Sequence, residues 1–192
     1  MSLEIEAKIK VDSHQKIRAK LVELGADRIG QVFEKNHIFD NAQRTLLAGG
    51  RGLRIRSCRS LEGEASSASI TFKGPQLDKD LKVREEITTG IDNPQNACTL
   101  LKALGYLEFL YFEKRRESWR LDNCKIELDE VPYLGHYVEI EGPNQQQVHR
   151  LTESLGLHTL PNITKSYIAL LIEYCQQQGI DSSQITFEQT SQ

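Results

Sequence analysis

The chain has 192 residues, of which 39% are hydrophobic and 27% are charged, and its formal net charge is −3. This length can bury one core and no Pro- or Gly-rich linker interrupts it, so we predict one domain over residues 1–179. The near-neutral charge disfavours a nucleic-acid or membrane partner bound by bulk electrostatics, and no signal peptide or apolar run of membrane-spanning length is present. Four scattered cysteines without a CxxC pair favour reduced thiols, and these features together predict a cytoplasmic protein.

Much of the chain alternates between apolar and charged residues with a period of two, which is typical of β-strands that have one apolar and one charged face. In the first such stretch, Leu3 to Val11, four charged residues share one face. The later stretches are RGLRIRS, SITFKG, LKVREEIT, YFEKRRESWRL, KIELDEV and YVEIEG. In YFEKRRESWRL both faces carry charge, so Lys114 and Arg116 are assigned to the shared charged face only by analogy with the other strands.

Four helical patterns lie between the strands, and each of them ends at a glycine. They are SHQKIRAKLVELG, DNPQNACTLLKALG, NQQQVHRLTESLG and KSYIALLIEYCQQQG. Residues 180–192 are polar, which predicts a loosely held tail. The order of strand, helix, strand and two more strands occurs twice, and this repeat predicts about eight strands in mostly hairpin order.

About eight antiparallel strands can close into a barrel with one inner and one outer face. Four helices with apolar stripes need an apolar surface to cover, and the outer face of a barrel provides it only if the charged face points inward. The pattern alone leaves an open sheet, with helices on one side and solvated charges on the other, as an equal alternative. We predict an α+β fold, a closed antiparallel eight-stranded β-barrel or tunnel with helices packed outside.

The charged face is almost entirely ionic, whereas a generic wet face would also carry Ser, Thr, Gln and Asn. In a closed barrel the first strand can neighbour the late strands, which would gather Glu4, Glu6, Asp129, Glu139 and Glu141. Two like charges ~4 Å apart repel by roughly 4 kcal/mol at an effective dielectric near 20, so this cluster needs protons, Lys or Arg partners, or a metal. Carboxylates suit Mg²⁺ or Mn²⁺, and an opposite wall of Arg and Lys would hold phosphate oxygens. The sequence therefore predicts a polyphosphate site.

An ordered series of motifs covers nearly the whole chain to about Tyr174 and resembles the CYTH superfamily, the triphosphate tunnel metalloenzymes. The motifs are EIEAK, LRIR, TFKG, VREE, EKRR, CKIELDEV, LGHYVEIEG and TKSY. That family includes class IV adenylyl cyclases, thiamine triphosphatases and inorganic triphosphatases. The resemblance implies a closed eight-stranded tunnel with Mg²⁺ or Mn²⁺ at the acidic residues and a triphosphate substrate at the basic ones.

The resemblance also implies a role for each matching residue. The implied metal ligands are Glu4, Glu6, Asp129, Glu139 and Glu141, with Glu86 and Glu127 less certain. The implied phosphate-binding residues are Arg54, Arg56, Lys73, Arg84, Lys114 and Arg116, with Lys82 less certain. Lys8 would position or help deprotonate the attacking group, and Lys165 would reach in from the C-terminal helix to cover the tunnel. Asp40 would cap a turn. The alternative for each charged residue is an ion pair within the barrel wall.

Three functions fit this set of residues. Water attacking the terminal phosphorus would make the protein a metal-dependent triphosphatase of an inorganic or organic triphosphate. A ribose 3′-hydroxyl attacking the α-phosphorus of ATP would make it an adenylyl cyclase that releases cyclic AMP and pyrophosphate. A non-catalytic polyphosphate or nucleotide sensor would keep the basic wall and could lose Lys8 or the metal ligands, all of which this chain retains. The sequence does not separate hydrolysis from cyclisation, and it leaves a homodimer open.

Overall fold

The structure, a computed structural model, describes residues 2–77 and 82–190. Its strands and helices follow the chain as β1 (Ser2–Val11), α1 (Gln15–Glu23), β2 (Asp27–Asp40), α2 (Thr45–Ala48), β3 (Gly52–Ser60), β4 (Ser66–Lys73), β5 (Lys82–Gly90), α3 (Pro94–Ala103), β6 (Leu107–Leu121), β7 (Cys124–Val131), β8 (Gly135–Glu141), α4 (Gln145–Ser154), α5 (Tyr167–Gln178) and β9 (Gln184–Ile185). Within the described ranges, no helix combines the length and apolar character that crossing a membrane requires.

Strands β1 to β8 form a curled antiparallel sheet in the order β2-β3-β4-β5-β1-β8-β7-β6. Strand β6 also pairs with β2, from Asp27 opposite Arg120 to Asp40 opposite Leu107. The pairings therefore lead back to the strand with which the order begins, and each of these eight strands has two antiparallel neighbours. The predicted α+β class and the eight strands in mostly hairpin order are confirmed.

Three helices begin where a side chain caps the first turn. Asn93 accepts a hydrogen bond from the backbone N–H of Asn96 before α3, and Asn144 accepts one from Gln147 before α4. Ser166 caps α5 in the same way. These side chains satisfy N–H groups that have no partner within the helix, which fixes where each helix starts.

The outer face of the sheet carries the main apolar core. Ile9 of β1, Ile126 of β7 and Val138 of β8 are almost fully buried, and they cluster with Leu21 of α1 and Val148 of α4. Because side chains alternate between the two faces of a strand, the charged residues next to them in sequence point to the other face. The prediction that the charged face points away from these helices is confirmed.

Helix α5 packs differently from α1 and α4. Its buried residues Tyr167 and Leu171 cluster with Ile38, Phe112 and Tyr137. Phe112 lies two positions from Lys114 and Tyr137 two positions from Glu139, so both belong to the charged face. Ile38 lines the same space as these charged residues. Helix α5 therefore covers one end of the charged face, and the prediction that the helices pack outside the sheet is wrong for this helix.

The segment after Gly179 is held against the sheet. Strand β9 pairs in parallel with β6 at Tyr111 and Phe112, where β7 no longer accompanies it, and Ile185 is fully buried. The ring of Phe187 lies 6.0 Å from that of Phe33. The prediction of a loosely held tail is therefore wrong for this segment.

Candidate functional site

A cavity of about 460 Å³ lies on the charged face of the sheet. Many of the predicted site residues line it together, because cross-strand partners in an antiparallel sheet project to the same face. Those that line it are Glu6, Lys8, Arg54, Arg56, Lys73, Arg84, Glu86, Lys114, Arg116, Glu139 and Glu141. The structure thus brings residues from strands that are far apart in sequence to one place.

Five predicted residues are not among those that line the cavity on the charged face, and Lys165 is one of them. The side chains of Glu4 and Lys82 lie outside the described part of the chain, although the backbone register places Glu4 opposite Arg84. Glu127 and Asp129 are buried behind the lining and contact Arg116, which does line the cavity.

Arg116 is the centre of a buried ion-pair network. Its Nε and Nη2 atoms donate to the two carboxylate oxygens of Asp129, each at 2.6 Å, and Nε lies 3.3 Å from Glu127 Oε2. Its Nη2 atom also donates to Glu139. Burial alone would lower the pKa of Arg116, but these carboxylates raise that pKa well above its ordinary value. Arg116 is therefore a fixed positive charge held by several acids.

Lys114 and Glu34 extend this network to strand β2. Lys114 Nζ lies 3.3 Å from Glu34 Oε2 and 3.1 Å from Asp129 Oδ2, and Glu34 Oε1 lies 3.1 Å from Arg56 Nη1. Burial lowers the pKa of Lys114, and the charge of Arg116 lowers it further. For Glu34, burial acts to raise the pKa, but Arg56 and Lys114 outweigh it and hold the pKa well below its ordinary value.

Sequence reasoning missed Glu34 and its neighbour Asn36, which accepts a hydrogen bond from Arg56 Nε at 3.0 Å. Strand β2 gives no clean alternation, since polar and apolar residues occur on both of its faces. Glu34 lies directly opposite Lys114 in the β2–β6 pair, a register that the structure shows and the sequence pattern does not.

Lys8 lies at the end of the cavity that α5 covers. Its Nζ atom donates to the backbone carbonyl of Lys165 at 3.1 Å and lies 3.3 Å from Glu139 Oε1. The ring centroid of Tyr167 is 4.2 Å from the same atom, and Lys8 is only 1% exposed. The ammonium group is thus held in one position between an acid, a carbonyl and an aromatic ring.

Tyr167 is a third residue that the sequence did not assign to the site, although the motif TKSY contains it. Its hydroxyl donates to Asp129 Oδ2 at 2.9 Å. Burial raises the pKa of Tyr167 well above its ordinary value, and the charges of Asp129 and Glu139 raise it further. Tyr167 is therefore a neutral hydrogen-bond donor at physiological pH.

The predicted position of Lys165 is wrong. The residue precedes α5, and its Nζ atom pairs with Glu173 Oε2 at 2.7 Å on the surface. Only its backbone carbonyl touches the site, through Lys8. Tyr167, two residues later, is the side chain that reaches inward from this part of the chain.

Two arginines present unused hydrogen-bond donors beside the cavity. The Nε atoms of Arg54 and Arg84 are buried and have no hydrogen-bond partner among the residues that the structure describes. Burial, with the charge of Arg56 close by, lowers the pKa of Arg54 to about 10, which leaves its guanidinium charged at neutral pH. Buried N–H groups usually have partners, so these two atoms fit an anionic ligand with several oxygens.

The acidic residues of the cavity have the chemistry of a divalent metal site. Glu6 on β1 lies opposite Glu141 on β8, and Glu139 follows on the same face. Carboxylate oxygens are the ligands that Mg²⁺ and Mn²⁺ prefer. Among the described side chains, no three His, Cys, Asp or Glu residues are already gathered around one metal position. The oxygens of Asp129 accept from Arg116, Lys114 and Tyr167, which accounts for its burial without a metal.

Residues 2–167 match the profile of the CYTH domain. The chain belongs to the CYTH family. A Methanocaldococcus jannaschii protein named as a candidate adenylate cyclase, MJ0240, is 31% identical over 139 residues, which cover 72% of this chain and 76% of that protein. The CYTH family membership that the motifs predicted is thereby confirmed.

Solved structures support the same fold. The PH1819 protein of Pyrococcus horikoshii OT3 superposes with a TM-score of 0.77 and 27% identity, covering 88% of this chain and 98% of that one. HpAC1 from Hippeastrum, described as a candidate adenylyl cyclase with a dominant triphosphatase activity, has a TM-score of 0.69 and 19% identity, covering 94% and 97%.

Proposed function

We propose that this CYTH protein is a metal-dependent phosphoryl-transfer enzyme that hydrolyses a triphosphate in the charged cavity. The observation that carries the proposal is the pair of buried Nε donors of Arg54 and Arg84, which have no hydrogen-bond partner among the described residues and lie in the same cavity as Glu6, Glu139 and Glu141. A chain of phosphates needs several fixed cations and N–H donors along its length, and guanidinium groups are suited to bind phosphate oxygens in this way.

The acidic side of the cavity would hold the metal. Glu6, Glu139 and Glu141, with Glu4, are the proposed ligands of Mg²⁺ or Mn²⁺, which when bound neutralises phosphate oxygens. Lys8 would orient the attacking water, since its ammonium group is already fixed by Glu139 and by the carbonyl before α5. The remaining basic residues would stabilise the negative charge of the transition state.

The site is proposed to lie inside a closed tunnel. The pairing of β6 with β2 supports this arrangement, because it leaves neither strand with a free edge along the paired residues. A closed sheet would exclude bulk water from the phosphates and strengthen each electrostatic contact with them.

Adenylyl cyclase activity is the second candidate. The name of the Methanocaldococcus jannaschii relative favours it, whereas the activity described for HpAC1 favours hydrolysis. Both reactions need the same metal and the same basic residues, and they differ in the nucleophile and in the phosphorus that it attacks. A phosphate-binding sensor without turnover is the third candidate.

Product analysis separates these functions. The purified protein is incubated at mildly alkaline pH with tripolyphosphate or with ATP, in Mg²⁺ or in Mn²⁺, and the products are resolved by chromatography. Hydrolysis gives orthophosphate, with pyrophosphate from tripolyphosphate or ADP from ATP. Cyclic AMP as the dominant product from ATP would favour the cyclase. Binding of both compounds without turnover would favour the sensor.

The metal proposal has its own test. Glu6→Gln should remove most of the activity while the melting temperature stays close to that of the wild type, and Glu23→Gln, at an exposed position of α1, is the matched control. Full activity of Glu6→Gln in saturating chelator would contradict the metal assignment.

A further inference from the structure

The connection between α4 and α5 pairs with β1 beside Lys8. The backbone N–H of Ile163 donates to the carbonyl of Lys8 at 2.7 Å, and Asn162 forms an antiparallel bridge with Ile9. Within the described ranges, β5 pairs with β1 only along Ser2–Glu6, and β8 pairs with the other edge of β1. The connection therefore continues the pairing of β1 on the side of β5.

Asn162 contributes its side chain as well as its backbone to this pairing. Its Oδ1 atom accepts a hydrogen bond from the backbone N–H of Lys8 at 2.9 Å. Lys8 is almost fully buried, whereas Asn162 is exposed at the surface. Because loss of the acceptor of a buried N–H group costs free energy, this contact favours one position of the Lys8 backbone.

The same connection holds both ends of Lys8. Asn162 and Ile163 contact its backbone, and the carbonyl of Lys165 accepts a hydrogen bond from its Nζ atom at 3.1 Å. A lysine side chain is a flexible four-carbon stem, so fixing its ammonium group requires that the backbone be fixed as well. Lys8 lines the cavity, and this connection thus sets where the ammonium group lies in it.

We propose that Asn162 is a positioning residue for phosphoryl transfer and that it acts through Lys8. This inference rests on the proposed function, in which Lys8 orients the attacking water. Asn162 is not among the described residues that line the cavity, so it does not contact the ligand. Its loss should therefore slow the chemical step and leave substrate binding intact.

The test compares variants that remove or keep the acceptor oxygen at position 162. Asn162→Leu is similar in size and has no acceptor, Asn162→Ala is a second variant without one, and Asn162→Asp keeps a carboxylate oxygen there. Asn144→Leu is the matched control. Asn144 is also exposed, and its Oδ1 atom also accepts a backbone N–H bond at 2.9 Å, from Gln147 at the start of α4 and away from the cavity lining.

Steady-state kinetics with Mg²⁺, on tripolyphosphate or ATP according to which is turned over faster, gives kcat and KM, and melting curves verify folding. Asn162→Leu and Asn162→Ala should lower kcat roughly fivefold, the usual effect of one lost hydrogen bond, and change KM less than about twofold. Asn162→Asp should restore kcat to within about twofold of the wild type. Asn144→Leu should lower the melting temperature and leave kcat unchanged, because it removes only a helix cap.

Hydrogen exchange measured by NMR tests the contact itself, whether or not the protein turns over a substrate. The backbone amide of Lys8 should exchange faster in Asn162→Leu than in the wild type, since it has lost its acceptor. The amide of Ile126, in the buried part of β7, should exchange at the same rate in both proteins.

An unchanged kcat in Asn162→Leu and Asn162→Ala would overturn this inference and leave the proposed function standing. A loss of kcat that Asn162→Asp or Asn144→Leu shares in full, or an unchanged exchange rate of the Lys8 amide, would overturn it in the same way. Turnover of neither tripolyphosphate nor ATP by the wild type would overturn the proposed function, and the role of Asn162 with it.

Discussion

The hydroxyl of Tyr167 and the guanidinium of Arg116 both donate to Asp129, and the Tyr167 ring lies under the ammonium group of Lys8. Tyr167 therefore contacts both an acidic residue, Asp129, and a basic residue, Lys8, and helps to fix the position of each. The tyrosine itself is neutral, because burial and the neighbouring carboxylates raise its pKa. Its contribution is therefore positional rather than ionic.

Tyr167→Phe is expected to lower kcat roughly tenfold while KM changes little. The variant removes one donor from a buried carboxylate, at a cost of about 1–3 kcal/mol, and keeps the ring and the phosphate-binding arginines. Steady-state kinetics with the best triphosphate substrate measures the effect. Tyr174→Phe is the control, since that ring stacks on Tyr133 away from the cavity lining. Equal losses in the two variants would contradict the positional role.

Glu34 should make stability depend on pH in the acidic range. Its pKa is held below its ordinary value by Arg56 and Lys114, so its ionised form stabilises the folded state. This contribution is complete above the ordinary carboxyl pKa of about 4.3 and is lost as the pH falls toward the folded-state pKa.

Glu34→Gln is therefore expected to lower the free energy of unfolding by about 3–5 kcal/mol at pH 7, because Arg56 and Lys114 lose a buried acidic partner. The difference from the wild type should shrink as the pH is lowered below about 4. Urea unfolding at several pH values measures it, and Glu23→Gln on the surface of α1 serves as the control. A difference that stays constant from pH 7 to pH 3 would be inconsistent with this account.

At the scale of the element, alternation along β6 decides which charges reach the cavity. Arg116 is buried among acids on the charged face, whereas Arg115 pairs with Glu130 on the other face and its side chain is 43% exposed. Strand β5 directs Arg84 to the cavity in the same way. The assignment of Lys114 and Arg116 to the charged face, made by analogy, is confirmed by their position.

Alternation predicts that Arg84→Ala and Arg115→Ala will have different effects on ligand binding. Tripolyphosphate with Mg²⁺ should raise the melting temperature of the wild type, since it binds the folded protein and not the unfolded chain. Arg84→Ala should reduce this shift to less than half, because it removes a buried donor for which the described part of the chain offers no hydrogen-bond acceptor. Arg115→Ala should leave the shift nearly unchanged. Equal shifts in the two variants would mean that the side of β5 facing the ligand is misassigned.

The sequence predicts which residues share a face where apolar and charged residues alternate regularly. It does not predict positions that depend on tertiary packing. Strands such as β1 and β8 alternate cleanly, so Glu6, Lys8, Glu139 and Glu141 could be placed on one face from the sequence alone. Strand β2 has polar and apolar residues on both faces, so the sequence does not predict that Glu34 lies on the charged face. Helix α5 has apolar residues suited to any packing partner, and only the tertiary structure shows that it covers the charged face and brings Tyr167 inward.

At the scale of the whole molecule, the helices pack on both faces of the sheet. Helices α1 and α4 cover the outer apolar face, while α5 covers one end of the charged face, so apolar clusters lie behind the sheet and at one end of the cavity. Low-dielectric surroundings strengthen ionic contacts with a bound phosphate chain. Three expectations stay predictions. They are the single domain over residues 1–179, the cytoplasmic location and a possible homodimer.

The C-terminal segment completes the sheet on its outer side. Strand β9 pairs with β6 where β7 has ended, and Glu113 joins the two by accepting hydrogen bonds from the Tyr111 hydroxyl and the Phe187 backbone, both at 3.1 Å. The ring of Phe187 also lies 4.1 Å from the Arg115 guanidinium. The contacts of Glu113 and Arg115 are on the face away from the cavity, whereas Ile185 clusters with Phe112 and Tyr167 on the charged face. No described residue after Gly179 lines the cavity, so the segment supports the lining from behind.

Deletion of residues 180–192 is therefore expected to lower the melting temperature and to leave the KM for the triphosphate unchanged. Loss of the buried Ile185 side chain alone costs about 1.5–3 kcal/mol, which corresponds to roughly 3–12 °C for a chain of this size. Ile185→Ala should reproduce part of the loss, and Gln184→Ala, which is exposed in the same strand, should reproduce almost none. Calorimetric melting and steady-state kinetics on the three variants measure both quantities. A raised KM with an unchanged melting temperature would instead place this segment at the substrate site.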